Sequence, residues 1–201
     1  MGKLILLRHG QTDWSRAGRH TGRTDIPLTA RGIADAEELG PMVARQVAGE
    51  QLTAVLASPA QRAQLTAQLA GLKVTQTDPD LWEWDYGGYE GITTAQIQRT
   101  RPGWSLWRDG VIPGDATHPG ETVGEVGTRV DRVLRRAEPL LAAGDVALVA
   151  HGHVLRVLTA RYLGLSPASG RLFRLDTGTV STLGTEHADP VILSWNVPPG
   201  S

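Results

Sequence analysis

A chain of 201 residues, 40% hydrophobic and 20% charged, has the makeup of an ordinary globular protein and can bury roughly 70% of its unfolded surface around one sizeable core. Its net charge of -1 leaves no broad basic field for nucleic acid or acidic lipid, so any positive potential must be local. Cysteine is absent, the N-terminal apolar run is too short for a signal sequence and is interrupted by Arg8, and no stretch is long enough to span a bilayer; no disulfide or thiol chemistry is available, and the cytoplasm is the expected location.

The run Leu4-Ile5-Leu6-Leu7 reads as a buried strand that delivers Arg8, His9 and Gly10 at its C-terminal end, where an open α/β sheet keeps its chemistry. A polar, glycine-containing loop follows through Asp25. Thr29 is the expected cap of a helix, with Leu28 as its hydrophobic staple and Ile33, Ala36, Leu39 and Val43 on the apolar face. Ala54-Val55-Leu56-Ala57 reads as a second buried strand. Ser58-Pro59 then supplies a cap and a proline at the first helical position, which puts Arg62 in the first turn, at a helix end that attracts anions.

Residues 73–77 are a predicted third strand, followed by an irregular stretch rich in glycine and tryptophan as far as Gly91 and a short helix before Pro102. Thr122 and Glu125 match a capping box that opens a long amphipathic helix carrying Val126, Val130, Val133, Leu134 and Leu141, which Pro139 is expected to bend or end. Residues 145–150 form the next buried strand, ending in His151-Gly152-His153, and the helix after it carries Val154, Leu155, Val157 and Leu158. Residues 172–175, 180–183 and 191–193 read as closing strands, with a turn at Asp176-Thr177-Gly178. Strands alternating with helices predict an α/β fold with a largely parallel sheet, the closing strands adding an apolar edge where a second copy can pair as a homodimer.

An imidazole in such a crevice acts as a base, a metal ligand or a nucleophile. The adjoining Arg8 guanidinium decides among these, because it repels metal cations and attracts phosphate oxygens. Taken alone, His9 is more simply a structural histidine and Arg62 a solvated side chain. Together, the strand ends bring Arg8, His9, Arg62 and His151 along one sheet edge, where two guanidiniums and two imidazoles repel one another unless an anion lies between them. A phosphate supplies that anion.

The segments from Leu7 to Ser15 and from Thr21 to Thr29, then Ser58-Pro59-Ala60-Gln61-Arg62-Ala63 with Thr66-Ala67, Leu81-Trp82-Glu83 with Tyr86-Gly87 and Glu90-Gly91, and Ala150-His151-Gly152 occur in one order across most of the chain. In that order they resemble the histidine phosphatase superfamily, the phosphoglycerate mutase-like proteins. The resemblance implies a three-layer, doubly wound, mostly parallel sheet with helices on both faces, folded as a single domain over 1–201 with a small lid-like insertion at about 78–120. It also implies that His9 attacks phosphorus in line and is phosphorylated. Arg8, Arg62 and His151 would hold the equatorial oxygens, each donor typically worth on the order of 10²- to 10³-fold in rate. Neighbouring cations would keep His9 neutral, and Glu83 would protonate the leaving oxygen and then activate water. Without the flanking motif Glu83 is a solvated loop carboxylate.

Smaller expectations attach to nearby residues. Ser15 stands where the family often has an asparagine that binds phosphate, and offers only a shorter hydroxyl. Thr21 and Gly22 offer a hydroxyl and a backbone N–H at the pocket mouth, or form a plain turn. Tyr86 and Gly152 are further substrate-binding candidates. His153 suggests a metal pair with His151, yet the arginines disfavour a cation and the family needs no metal or cofactor, so His153 is assigned to the start of a helix facing the rim. His118, in a glycine-glutamate-hydroxyl turn like the family's, is assigned to the approach to a helix.

The mutases of the family hold a second phosphate with extra cations, and this chain has Trp84 and Thr94 at two of those positions and no arginine pair from Trp104 to Arg108. Hydrolysis is therefore expected, with phosphoglycerate mutase as the alternative and a non-catalytic phospho-ligand binding module as the second alternative. Trp82, Trp84, Trp104 and Trp107 either pack the lid or shape a wide, partly apolar leaving-group site. The expected enzyme takes small phosphomonoesters with loose specificity, without nucleic acid or membrane, and prefers mildly acid pH because Glu83 starts the cycle protonated.

Overall fold

The computed structural model describes residues 2–47 and 52–200. The N-terminal apolar run forms β1 (Leu4–Arg8), in which Leu4 and Leu6 enter one hydrophobic cluster and Ile5 and Leu7 the other. Successive side chains on a strand point to opposite faces, so a run with no polar alternation belongs to a sheet covered on both sides. After the single-turn α1 (Asp13–Arg16), α2 (Ala30–Gln46) opens on Thr29, whose hydroxyl accepts from the Gly32 N–H. Its buried stripe is Gly32, Ala36, Leu39 and Val43. Ile33 lies roughly a quarter turn from that stripe and is 37% exposed, so it leaves the apolar face assigned to it.

β2 (Ala54–Ala57) is fully buried and leads to α3 (Gln61–Leu69), which starts later than Ser58-Pro59 suggested. Its N-cap position is Ala60, without a side-chain cap; instead the Asp25 carboxylate, from a loop on the other side of α2, accepts the Gln61 N–H at 2.7 Å. β3 (Gln76–Thr77) is shorter than the predicted strand because the Thr75 hydroxyl takes the Val55 N–H that a longer ladder would need. α4 (Thr94–Thr100) and α5 (Leu106–Asp109) follow, and α6 (Val123–Ala143) begins with both halves of the Thr122 and Glu125 capping box. α6 runs past Pro139, with Ala137 and Leu141 buried on either side; packing of the apolar face outweighs the lost backbone bond.

β4 (Val146–Ala150) is buried throughout and feeds α7 (Gly152–Tyr162). β5 (Val180–Glu186) and β6 (Asp189–Val197) close the chain. No strand forms at 172–175. Leu172 ends a 3-10 turn and is 65% exposed, and side chains occupy the carbonyls that a ladder would use: Trp195 donates to that of Arg174 and Arg8 to that of Leu175.

The six-stranded sheet has the order β3-β2-β4-β1-β5-β6. β3, β2, β4 and β1 are parallel, while β5 and β6 pair antiparallel at one side. Helices α2 and α3 cover the Ile5 and Leu7 face, and α6 and α7 the Leu4 and Leu6 face, giving the expected three layers. The irregular region after β3 sends Leu81, Trp84, Tyr86, Tyr89, Ile97, Trp104 and Leu106 into the α6 and α7 core. Among the described residues, no helix is long and apolar enough to cross a membrane. Because β1 and β2 both flank β4, their C-terminal ends lie side by side: the His9 N–H donates to the Ala150 carbonyl at 3.0 Å, and the Ser58 N–H to the Val149 carbonyl at 2.9 Å.

Candidate active site

A pocket of about 480 Å³ opens at that edge, and Arg8, His9, Ser15, Thr21, Glu83 and Tyr86 line it. Arg62, His151, Gly22 and Gly152 are buried and are not part of the lining. His9 follows β1 directly and is 4% exposed. Its Nδ1 lies 2.7 Å from the Gly10 carbonyl, which can only accept, so Nδ1 carries the hydrogen and Nε2 keeps its lone pair. Burial, more than the nearby Arg62 and Arg8, holds its pKa well below the usual imidazole value. The ring is neutral, as a nucleophile must be.

Arg8 lines the pocket with a guanidinium whose Nε is buried and, among the described residues, without a hydrogen-bond partner. Its other end donates to the Leu175 carbonyl. Gly152 makes this placement possible, since a Cβ there would sit 3.0 Å from Arg8 Cζ. Arg62 spends its donors on the loop between α1 and α2: on the carbonyls of Thr24 and Gly22 at 2.9 Å each, and more loosely on Asp25 at 3.4 Å and the Thr21 carbonyl at 3.5 Å. Its Nε donates to His151 Nδ1 at 3.1 Å, which fixes the His151 proton on Nε2, from which it is donated to Ser58 Oγ at 2.7 Å. The His9 and His151 rings are 5.1 Å apart.

Glu83 is buried, not solvated. Its carboxylate accepts the His153 and Val154 N–H groups, each at 2.9 Å, and the Trp84 N–H at 2.9 Å. It thereby caps α7, whose own N-cap residue, His151, makes no side-chain cap. A helix preceded by Ala-His-Gly without a serine, threonine or acid was the sequence signal that a remote carboxylate must serve it.

Several expectations change. The Gly22 N–H is not offered to the pocket, because both Glu90 oxygens accept it at 2.9 and 3.0 Å. The Thr21 hydroxyl donates to the Arg19 carbonyl, and the Ser15 hydroxyl is held by the Thr12 backbone as the second half of the α1 capping box. Tyr86 Oη is 2.6 Å from His153 Nδ1, and Tyr86 is kept neutral by burial, which pushes its pKa well above the usual value. His151 and His153 turn to different partners, and His153, in the first turn of α7, lines the pocket. His118 stays outside the lining, 3.3 Å from the Thr24 hydroxyl. Trp104 and Trp107 line the pocket, whereas Trp84 is wholly buried with its indole N–H on the Glu121 carbonyl and Trp82 lies alongside His151. The lining also takes in Thr94, which the comparison with the mutases had singled out, and Arg19, His20 and Gln98, which no spacing in the sequence distinguishes; only the position of His20 beside Thr21 hinted at it.

Burial lowers the His20 pKa to about 4 and holds those of His9 and His151 well below the usual value. In the unfolded chain these imidazoles take up protons below about 6.5, while in the fold they stay neutral, so the unfolded state binds more protons and stability falls with falling pH. Each suppressed imidazole contributes roughly 1.4 kcal/mol per pH unit below that point, and the His20 contribution levels off near 4. His153, 23% exposed at its side chain, adds less. The urea midpoint is expected to drop clearly between pH 7.5 and pH 5. An unchanged midpoint would mean that these rings protonate within the fold.

The sequence profile of the histidine phosphatase superfamily (branch 1) matches residues 4–198. An acid phosphatase of Mycobacterium tuberculosis is 39% identical over 185 residues, covering 92% of this chain and 87% of the relative. A probable phosphoglycerate mutase of Yersinia enterocolitica is 32% identical over 202 residues, covering 97% of this chain and 90% of the relative. The solved structure of the Rv3214 open reading frame product of Mycobacterium tuberculosis superposes with a TM-score of 0.91 at 37% identity, covering 98% of each chain. A match of this extent, on a fold that sets a neutral imidazole beside an arginine at the sheet edge, makes the chain a member of the histidine phosphatase superfamily, branch 1, and a phosphomonoester hydrolase of that type.

Proposed function

We propose that His9 Nε2 is the phosphoryl acceptor and Glu83 the proton donor. The lone pair of Nε2 attacks phosphorus, the bond to the leaving oxygen breaks, and that oxygen takes a proton from Glu83. Water then attacks the phosphohistidine, giving its proton to the Glu83 carboxylate as the P–N bond breaks and phosphate departs. The observation that carries this reading is the fixed tautomer of His9, with Glu83 and Arg8 lining the same pocket. Arg8 would hold a phosphate oxygen directly. Arg62 would do so by exchanging its two longest contacts, to Asp25 and the Thr21 carbonyl, for phosphate, while His151 braces it from behind.

The leaving group would lie against Trp104, Trp107 and His20, a wall with room for varied small esters, in keeping with a relative described as an acid phosphatase. Residues 1–201 would form one domain with 78–120 as the pocket cover, the substrate would not be a nucleic acid, and the β6 edge with its exposed Leu193 would pair with a second copy. A mutase reading draws on the Yersinia relative. Against it, Trp84 is buried away from the pocket, Thr94 is 3.3 Å from His20 Nε2, and Arg19 is the lining cation besides Arg8. A chromogenic phosphomonoester is expected to be hydrolysed at mildly acid pH, equally with and without a chelator, much faster than phosphoglycerate is isomerised. Isomerisation outpacing hydrolysis would reverse the assignment.

A further inference from the structure

Arg129, on the buried side of α6, directs its donors at the segment that carries Glu83. One terminal nitrogen donates to the carbonyls of Asp80 at 2.7 Å and Trp82 at 2.6 Å, and the other to the Glu83 carbonyl at 3.1 Å and Glu121 Oε2 at 3.0 Å. Its Nε donates to Glu121 Oε1 at 2.8 Å. Glu121 holds the next stretch: Oε2 accepts the Asp85 N–H at 2.9 Å, its carbonyl accepts the Trp84 indole N–H at 2.8 Å, and its own N–H donates to the Asp85 carbonyl at 3.0 Å. Neither residue lines the pocket. Glu83 is thus gripped from two sides, its peptide carbonyl by α6 through Arg129 and its carboxylate by the N-terminus of α7.

We infer that Arg129 and Glu121 are positioning residues that fix the carboxylate of Glu83 over the pocket, an inference that rests on the acid role proposed for Glu83. If the peptide at Glu83 rotates, the carboxylate leaves the His153 and Val154 donors and swings away from the leaving oxygen. Lysine cannot substitute, because its three hydrogens cannot serve three carbonyls and both Glu121 oxygens at once.

The test is a leaving-group series in wild type, Glu83→Gln, Arg129→Lys and Glu121→Gln. p-Nitrophenyl phosphate releases a weakly basic oxygen that departs without a proton, whereas a simple alkyl phosphate needs one. In the Arg129 and Glu121 variants, kcat/KM for the alkyl ester is expected to fall on the order of 10- to 100-fold, the cost of a misplaced catalytic group, while the nitrophenyl ester changes little. Glu83→Gln should show the same selectivity in stronger form. If Glu83→Gln lowers both esters equally, the acid role falls and this inference with it. If Glu83→Gln is selective but the folded Arg129 and Glu121 variants lower both esters equally, or neither, the positioning role alone is wrong. Circular dichroism checks folding, and Glu121→Gln, which keeps its shape and an acceptor oxygen, carries the test if Arg129→Lys does not fold.

Discussion

His9→Ala is expected to carry no phosphoryl group and to lose turnover by a factor on the order of 10⁴ or more, the scale seen when a covalent nucleophile is removed. The other imidazoles differ from His9 in place: none follows β1 directly at the sheet edge. His151 has Nδ1 occupied by Arg62 and Nε2 by Ser58, and it does not line the pocket. His153 and His20 do line the pocket, with Nδ1 of the first against the Tyr86 hydroxyl and Nε2 of the second against Thr94, so label kept by His9→Ala would point to one of these two rings. The loss should be chemical and not structural, because the imidazole of His9 is a buried base whose neutral state works against folding at acid pH. The variant should therefore unfold at pH 5 in no less urea than wild type does. Incubation with a phosphomonoester labelled on phosphorus, followed by alkaline denaturation that preserves phosphohistidine, reads the result. Label retained by His9→Ala at the wild-type level would move the nucleophile elsewhere. Label absent from wild type under rapid quenching would favour a binding module over an enzyme.

The sheet was readable because its central strands are unbroken apolar runs: Leu4 to Leu7, Ala54 to Ala57 and Val146 to Ala150 are buried on both faces, and such strands need no polar alternation. His9 and His151, which follow two of them, were therefore placed at one edge by topology alone, with Arg8 and Arg62 beside them. One helix start was less readable because its cap is remote. α3 takes its carboxylate from Asp25, 36 residues away, so no local pattern around Ser58 gives its true start, whereas α7, served by Glu83 70 residues from His153, still begins at Gly152, where the sequence places it. The expected strand at 172–175 failed for a related reason. Long side chains, Arg8 and Trp195, took backbone acceptors that sequence periodicity assigns to a neighbouring strand.

Within the site, the kinds of residue were legible and their depth was not. Arg62 and His151 are buried and outside the pocket lining, because the Thr21, Gly22 and Thr24 carbonyls turn inward to meet the guanidinium. That turn depends on Glu90 gathering the Gly22 and Thr24 N–H groups, a contact between segments far apart in the chain. Gly22 and Ser15 were expected to meet substrate through groups the fold itself consumes.

Arg62→Lys should be the next most damaging change, and it should act on stability and rate together. The lysine keeps the charge but has too few donors for His151 Nδ1, the Thr24 and Gly22 carbonyls and Asp25, all of which meet Arg62 in the wild type. Acceptors left unpaired in a buried site cost roughly 1–3 kcal/mol each, so a total near 2–4 kcal/mol is expected in urea unfolding. Asp25 also caps α3, and once its loop is released the Gln61 N–H is exposed to the same loss. Rate should fall on the order of 10²- to 10³-fold with loss of a preorganised donor, and inhibition by inorganic phosphate should weaken in parallel. Arg62→Met separates charge from shape. Arg62 is the second cause, after burial, of the lowered His9 pKa, so removing its charge raises that pKa while burial still keeps it below the usual value. The acid limb of kcat/KM should then move to higher pH in Arg62→Met and stay in place in Arg62→Lys. An acid limb that moves equally in both would show that the guanidinium acts on His9 through packing and not through its charge.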